Sequence, residues 1–236
     1  MKILAVDSSA KTASVAIVDS DAQLISESFV NAGLTHSETL LPMISSALSF
    51  AKLKVSDIDS FVVTDGPGSF TGIRIGIAAV KGIAAPNNTP CCGVSTLKAM
   101  AYNLLDEDCI ACCAMDARCQ QVYFAAFRCK EGRVERLTKD MAIPADTLAD
   151  YLKDYSDEKI ICLGDGAKLA YDAIKDKLPN TQLARGRELN QQAYGAACAA
   201  IYENLEYTEA GALLPVYLRL SQAERELKKK QSLNKQ

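Results

Sequence analysis

Gly66-Pro67-Gly68-Ser69-Phe70-Thr71-Gly72, followed by the almost uncharged run from Ile73 to Ala85, is the stretch on which the fold turns. Just before it, Phe61-Val62-Val63 is a short apolar run of the kind that forms a buried strand. The Gly-Pro-Gly turn takes the chain out of that strand and into a helix over 71–85, with Ser69 or Thr71 as its N-cap. This helix has apolar or small residues on every side, and its only charges are Arg74 and Lys81. A surface helix ordinarily carries a polar face. One without it is expected to be covered twice, by its own sheet and by a second body. The glycines do not make a Walker loop, which needs Gly-x-x-x-x-Gly-Lys-Ser/Thr: Ile73 and Arg74 follow Gly72. Gly72, Gly76 and Ala79 instead keep one helix face flat, so that another helix can approach closely. Arg74 and Lys81, seven apart, share a face and are expected to pair with a partner's acids.

The chain of 236 residues is long enough for one large domain or two lobes, each with its own core. Apolar residues make up 49% and charged residues 23%, the balance of a soluble globular protein. No apolar run is long enough to span a bilayer. The N-terminal Met1-Lys2-Ile3-Leu4-Ala5-Val6-Asp7 meets an acid too early for a signal peptide, so a cytoplasmic location is expected. The net charge of −3 lacks the basic footprint of a protein that holds nucleic acid by itself, so any RNA role is expected to run through a partner. Lys228-Lys229-Lys230 reads as a solvated helix end. Nine cysteines without an export signal read as reduced thiols. Cys109 and Cys112 fit C-x-x-C by spelling, but three residues apart on a strand they point to opposite faces. With His36 as the single histidine, a Cys/His metal cluster is not expected.

Charge divides the chain. Residues 1–100 hold 7 of the 26 basic and 8 of the 29 acidic residues, which leaves the first half unusually uncharged and suits an intermolecular surface there. The two halves, 1–100 and 101–236, also repeat one pattern. Ile3 to Asp7 is an apolar strand ending in Asp, followed by strands at 13–18 and 24–30. Cys112 to Asp116 is its counterpart, followed by strands at 122–127 and 134–137. Helices at 36–52 and 145–155 come next in each half. Then Phe61 to Gly66 matches Ile160 to Gly166, and helices at 71–85 and 166–177 follow. The order β-β-β-α-β-α, written twice, resembles the actin-like nucleotide-binding fold, an α/β architecture of two duplicated lobes. The second lobe is expected to be the smaller.

The remaining helices are expected at 95–105, capped by Ser95, at 189–205, and from Arg219 onward, and part of these return to the first lobe. The helix at 36–52 opens with Thr35 and Glu38 in a capping-box spacing. Pro42 is expected to kink it. Leu40, Leu41, Ile44, Leu48 and Ala51 form one apolar face, and Met43, Ala47 and Phe50 another, so this helix too is expected to be covered from two directions.

Asp7-Ser8-Ser9 with Ser14-Val15-Ala16, His36-Ser37-Glu38 with Leu41-Pro42, the Gly66–Arg74 block, Asp116-Ala117-Arg118 and Pro215-Val216-Tyr217-Leu218-Arg219 together resemble the bacterial TsaB (YeaZ) family over essentially the whole chain. The resemblance implies a two-lobed actin-like protein that helps make threonylcarbamoyladenosine in tRNA. It implies a related catalytic subunit, TsaD, as partner, TsaE as a further ATPase partner, and TsaC as the maker of the threonylcarbamoyl-adenylate. The catalytic relative holds metal with a His-x-x-x-His pair on its first helix. Here His36 stands at the first position and Leu40 at the second, so neither a metal site nor catalysis is expected. The expected role is a non-catalytic scaffold that binds its partner through the two uncharged helices. The residues expected at the contact are His36, Leu40, Met43, Ala47, Phe50, Phe70, Gly72, Ile73, Arg74, Gly76, Ile77, Val80 and Lys81. A homodimer through the same surface is expected when the partner is absent, and tRNA is expected to be met only through the complex.

The alternative is an actin-like ATPase or phosphotransferase using Asp7 and Asp116. Asp7, Ser8, Ser9, Asp116, Gly164, Asp165 and Gly166 would then border phosphates and adenosine. Lys11 and Thr12 stand where glycines usually let the backbone approach a phosphate, so no tightly bound cofactor is expected. ATP or ADP is expected only weakly or at a complex interface. A third reading is regulation of some other client through the uncharged lobe.

Overall fold

The computed structural model describes residues 1–190 and 192–219. The expected terminal helix from Arg219 and the lysines at 228–230 lie outside the described residues. The first half forms β1 (Lys2–Asp7), β2 (Ala13–Asp19), β3 (Leu24–Val30), α1 (His36–Phe50), β4 (Ser60–Gly66), α2 (Phe70–Ala84), β5 (Cys91–Ser95) and α3 (Thr96–Ala101). The second forms β6 (Cys109–Asp116), β7 (Gln121–Lys130), β8 (Arg133–Arg136), β9 (Met141–Pro144), α4 (Leu148–Leu152), β10 (Ile160–Leu163), α5 (Ala167–Ile174), β11 (Thr181–Leu183) and α6 (Ala193–Tyr202).

The duplication is visible in the strand order. The first sheet runs β3-β2-β1-β4-β5 and the second β8-β7-β6-β10-β11, position for position the same. In each, the first strand pairs antiparallel with the second and parallel with the strand that follows the helix. The second sheet gains β9, a segment in which no element was expected. β7 is ten residues long, so one half of it pairs with β8 and the other with β9.

Each sheet is covered on both faces. Leu4, Val6, Val15, Phe61 and Val63 pack under α1 and α2, while Ile3, Ala5, Ala16, Val62 and Val94 face α6. On the second sheet, Ile110, Cys112 and Phe124 pack with α4 and α5, and Cys109, Cys113, Phe127 and Cys129 face α3. Cys109 and Cys112 thus lie in different cores, as strand geometry requires. The covering helices cross over between halves: α6 packs on β1 and β2 of the first sheet, and α3 on β6 and β7 of the second. A cut at residue 100 therefore passes through α3. α6 is alanine-rich because it is wedged between the first sheet and α3, where long side chains have no room. Ser14 of β2 accepts the Ala193 amide at 2.7 Å and holds the start of α6 on that sheet.

Several local expectations change. Ser69 caps α2 by accepting the Gly72 amide, and Ser95 caps α3 in the same way. Thr35 does not cap through its side chain: its hydroxyl takes a hydrogen bond from Ser37, and its carbonyl receives the Glu38 and Thr39 amides. α1 continues through Pro42, which lies on its exposed side. The expected helices at 145–155 and 189–205 shorten to α4 and α6, with 3-10 turns beside them. Among the described residues, no helix is long and apolar enough to cross a membrane.

Candidate functional site

Two surfaces carry the residues picked out above: a cleft between the sheets and the outer side of α1 and α2.

The cleft encloses about 540 Å³. Its first-half wall is the turn after β1 (Ser9 to Lys11) and the start of α2 (Pro67 to Thr71). Its second-half wall is the end of β6, the β6–β7 turn and Asp165, and the segment Val216 to Arg219 closes one side. Of the seven residues expected to border a nucleotide, Ser9, Asp116 and Asp165 line it. Asp7 does not. It is 1% exposed and lies beneath the floor, with the Ser9 amide 3.0 Å and the Ser9 hydroxyl 3.0 and 3.2 Å from its carboxyl oxygens. Burial pushes its pKa up, against the pull of those hydrogen bonds and of Thr64 and His36. Ser8 is also buried, and its hydroxyl donates to the Gly72 carbonyl. Gly164 and Gly166 sit tight against the backbone of Ala114 and Met115 on β6. Asp116 accepts the Arg118 amide at 2.7 Å and gives its own amide to Asp165 at 3.1 Å, so these acids brace the strand ends.

His36 is half-buried at the start of α1. Its Nε2 lies 2.7 Å from the Ala10 carbonyl, which fixes Nε2 as the protonated nitrogen and ties α1 to the turn that floors the cleft. Leu40, one helical turn on, is in the core.

The helix surface differs most from expectation. Leu40, Met43 and Ala47 on α1, and Ile73, Ile77 and Val80 on α2, are all buried in the chain's own core against the first sheet. Of the two apolar stripes expected on α1, Leu40, Met43, Ile44, Ala47 and Leu48 form one buried face against the sheet, and Leu41 and Phe50 stand outside it. Gly72 and Gly76 are also turned inward: a Cβ there would meet the Ser8 carbonyl at 2.1 Å and the Ser8 hydroxyl at 2.5 Å. Their flat face admits Ser8, just after β1, not a partner helix, and Gly76→Leu would injure the fold before any docking. Arg74 and Lys81 are engaged within the chain as well. Arg74 Nε donates to the Tyr217 hydroxyl at 2.7 Å, and Lys81 Nζ to the Gly211 carbonyl at 3.0 Å. Phe70 is half-buried, stacked on Tyr217.

What α1 and α2 leave open is a different set. Phe50 is 82% and Leu41 54% exposed on α1, and Thr71, Ala78 and Gly82 are exposed on α2 beside half-buried Ile75 and Ala79. Of these, Phe50 is among the expected contact residues and Ala79 belongs to the expected flat face; the others were not expected there. An all-apolar helix gives no sign of which side its sheet takes. Val216, Tyr217 and Arg219 belong to the Pro215–Arg219 motif, and nothing in their spacing links them to residue 74 or 117, which they reach in the structure.

The family model described as TsaD, tRNA N6-adenosine threonylcarbamoyltransferase, matches residues 30–213. The tRNA threonylcarbamoyladenosine biosynthesis protein TsaB of Bacillus subtilis is 30% identical over 224 residues, 95% of this chain and 96% of that one. The chain belongs to the TsaB family. TsaB of Escherichia coli is 33% identical over 136 residues, 57% of this chain and 58% of that one. The solved structure of YeaZ from Pseudomonas aeruginosa superposes with a TM-score of 0.74 at 25% identity, covering 92% of this chain and 99% of that one. The (R)-2-hydroxyglutaryl-CoA dehydratase component A of Acidaminococcus fermentans, at 13% identity and a TM-score of 0.50, covering 86% of this chain and 97% of that one, shares the fold alone. The two sheets of this TsaB family member are the two lobes of an actin-like α/β fold.

Proposed function

We propose that the chain is a non-catalytic subunit of the machinery that makes threonylcarbamoyladenosine in tRNA. In this reading it docks on a TsaD-like catalytic subunit through the open side of α1 and α2. The observation that carries the proposal is that side itself: Thr71, Ala78 and Gly82, all exposed, stand on one line of α2 beside half-buried Ile75 and Ala79, and Leu41 and Phe50 are exposed on the adjacent α1. Small side chains let a partner helix approach closely, and Phe50 supplies apolar area at one end. The same strip serves a homodimer when the catalytic subunit is absent. TsaE and tRNA are met through the assembled complex, in the cytoplasm.

Catalysis is assigned to the partner because the position one turn beyond His36 holds a core leucine. No tightly bound nucleotide is proposed, and ATP or ADP binds weakly or at a complex interface. In support, Asp7 is sealed under Ser9 with its pKa raised by burial, a poor placement for a carboxylate that must face a hydrated cation.

The test is tRNA threonylcarbamoylation by TsaC, TsaD and TsaE with and without this chain. Product is expected to depend on the chain and to fall about tenfold or more with Ala78→Glu, which places a charge in the strip. Asp7→Ala is expected to retain activity. Product without the chain refutes the role. Full activity of Ala78→Glu moves the docking surface elsewhere.

A further inference from the structure

Residues 211–219 run beside α2 and then across the cleft, and their contacts reach both lobes. Lys81 holds the Gly211 carbonyl, and Arg74, two helical turns earlier on the same side, holds the Tyr217 hydroxyl. The segment therefore lies antiparallel to α2. Leu213 is its buried anchor in the first-sheet core. The Val216 amide then donates to the Asp65 carbonyl at the end of β4, at 2.8 Å. That approach is so close that a Cβ at Gly66 would stand 2.3 Å from the Val216 carbonyl oxygen. Finally the Arg219 guanidinium donates to the Ala117 carbonyl, in the β6–β7 turn of the second lobe.

At the point where the segment leaves α2, three side chains stack. The rings of Phe70 and Tyr217 are 4.3 Å apart and nearly parallel, and the Arg74 guanidinium lies 4.0 Å from the Phe70 centroid and 5.6 Å from that of Tyr217. Arg74 is exposed and Tyr217 is 37% exposed. Contacts of this kind in water are modest. The stack is thus the reversible part of a segment whose Leu213 end is fixed.

We propose that residues 211–219 are a strap that couples the α2 surface to the β6–β7 turn of the second lobe, with the Arg74–Phe70–Tyr217 stack as its latch. With the latch closed, Arg219 is delivered to Ala117 and the strap forms the cleft wall. With it open, Tyr217 to Arg219 lose their placement beyond the Val216 anchor and the turn loses its brace. A group that engages Arg74 from outside competes with Tyr217, so an event on α2 reaches the second lobe. The coupling rests on contacts within the chain and does not depend on the docking proposed above.

Hydrogen exchange of the full-length chain, read by mass spectrometry, tests it. The reporters are the Ala117 and Gln121 amides, which close the β6–β7 turn by donating to the Gln121 and Arg118 carbonyls. Arg74→Ala, in the first lobe, is expected to speed exchange of the turn roughly three- to tenfold, along with that of 211–217. Arg219→Ala is expected to speed the turn alone. Tyr217→Phe keeps the ring and removes the acceptor, and is expected to act in the same direction by about threefold. If Arg74→Ala and Tyr217→Phe quicken only α2 and the strap, with the turn at its wild-type rate, the coupling is refuted.

Discussion

Replacing Asp65 with asparagine should stabilise the protein, and the gain should grow with pH. Asp65 ends β4, immediately before the Gly-Pro-Gly turn. Its carboxyl lies against β5 at Gly93, where a Cβ would come within 2.5 Å of it. Burial raises its pKa from 3.8 to about 7, with Asp140 adding to the rise and a backbone hydrogen bond opposing it. Asp140 is itself held by Arg136 and by the Ser95 hydroxyl, so it stays close as a like charge. Between about pH 4 and pH 7 the folded chain keeps a proton at Asp65 that the unfolded chain has released. Stability must therefore fall as pH rises through this window. A difference of roughly three pH units at ~1.4 kcal/mol each caps the loss at about 4 kcal/mol, and screening at this half-exposed residue brings it to about 2 kcal/mol. Asparagine keeps the shape and never ionises. Urea denaturation of wild type and Asp65→Asn from about pH 4.5 to 8.5 should show stabilities that differ little at the acid end and diverge to about 2 kcal/mol in favour of asparagine above pH 8. Asp7, also raised by burial, titrates in both proteins, so the difference isolates Asp65. A gain that is flat with pH, or largest in acid, would refute the assignment.

The inward placement of the α2 glycines is tested by Gly76→Leu, which is expected to cost about 3 kcal/mol in urea denaturation because Ser8 cannot move without losing its bond to Gly72; a midpoint near wild type would return Gly76 to the surface. Ser69→Ala should cost about 1 kcal/mol by removing the cap on the Gly72 amide, measured the same way, and no loss would mean that the turn, and not the hydroxyl, starts α2.

Eight of the eleven strands among the described residues were legible as apolar runs, and four of those end or nearly end in an aspartate: Asp7, Asp19, Asp65 and Asp116. β5 and β11 were not legible, being five and three residues long. The shared sheet order follows from the repeated element order, since parallel neighbours require a crossover helix and antiparallel ones a short turn. β9 escaped notice because Met141-Ala142-Ile143-Pro144 is short and ends in proline, a pattern as common in loops. The buried side of α1 and α2 was not legible because their apolar residues spread too evenly to choose a direction. Position 76 in particular looks identical whether its neighbour is a partner helix or Ser8, 68 residues earlier. The strap was invisible for a related reason. Its bonds join residues 143, 130 and 102 positions apart, and it has no regular structure whose period would reveal a face.

The lack of a polar face on α2 now has an explanation in three parts. The sheet takes Ile73, Ile77 and Val80, and Ser8, just after β1, takes the glycine side. The strap takes the only two charges, Arg74 and Lys81, each by a bond that a solvated helix would leave to water. Were the helix merely a core element, its remaining line would be free to carry lysine or glutamate, which cost nothing in water. It carries Thr71, Ala78 and Gly82 instead, beside Ile75 and Ala79. Glycine at an exposed helix position is unfavourable by about 1 kcal/mol relative to alanine, and among the described residues nothing stands within 4 Å of a Cβ at position 82. A residue that weakens its own helix and relieves no contact among the described residues is accounted for by something that covers this line, and a docking partner would do so. That is why the open line of α2, and not the cleft, carries the functional proposal.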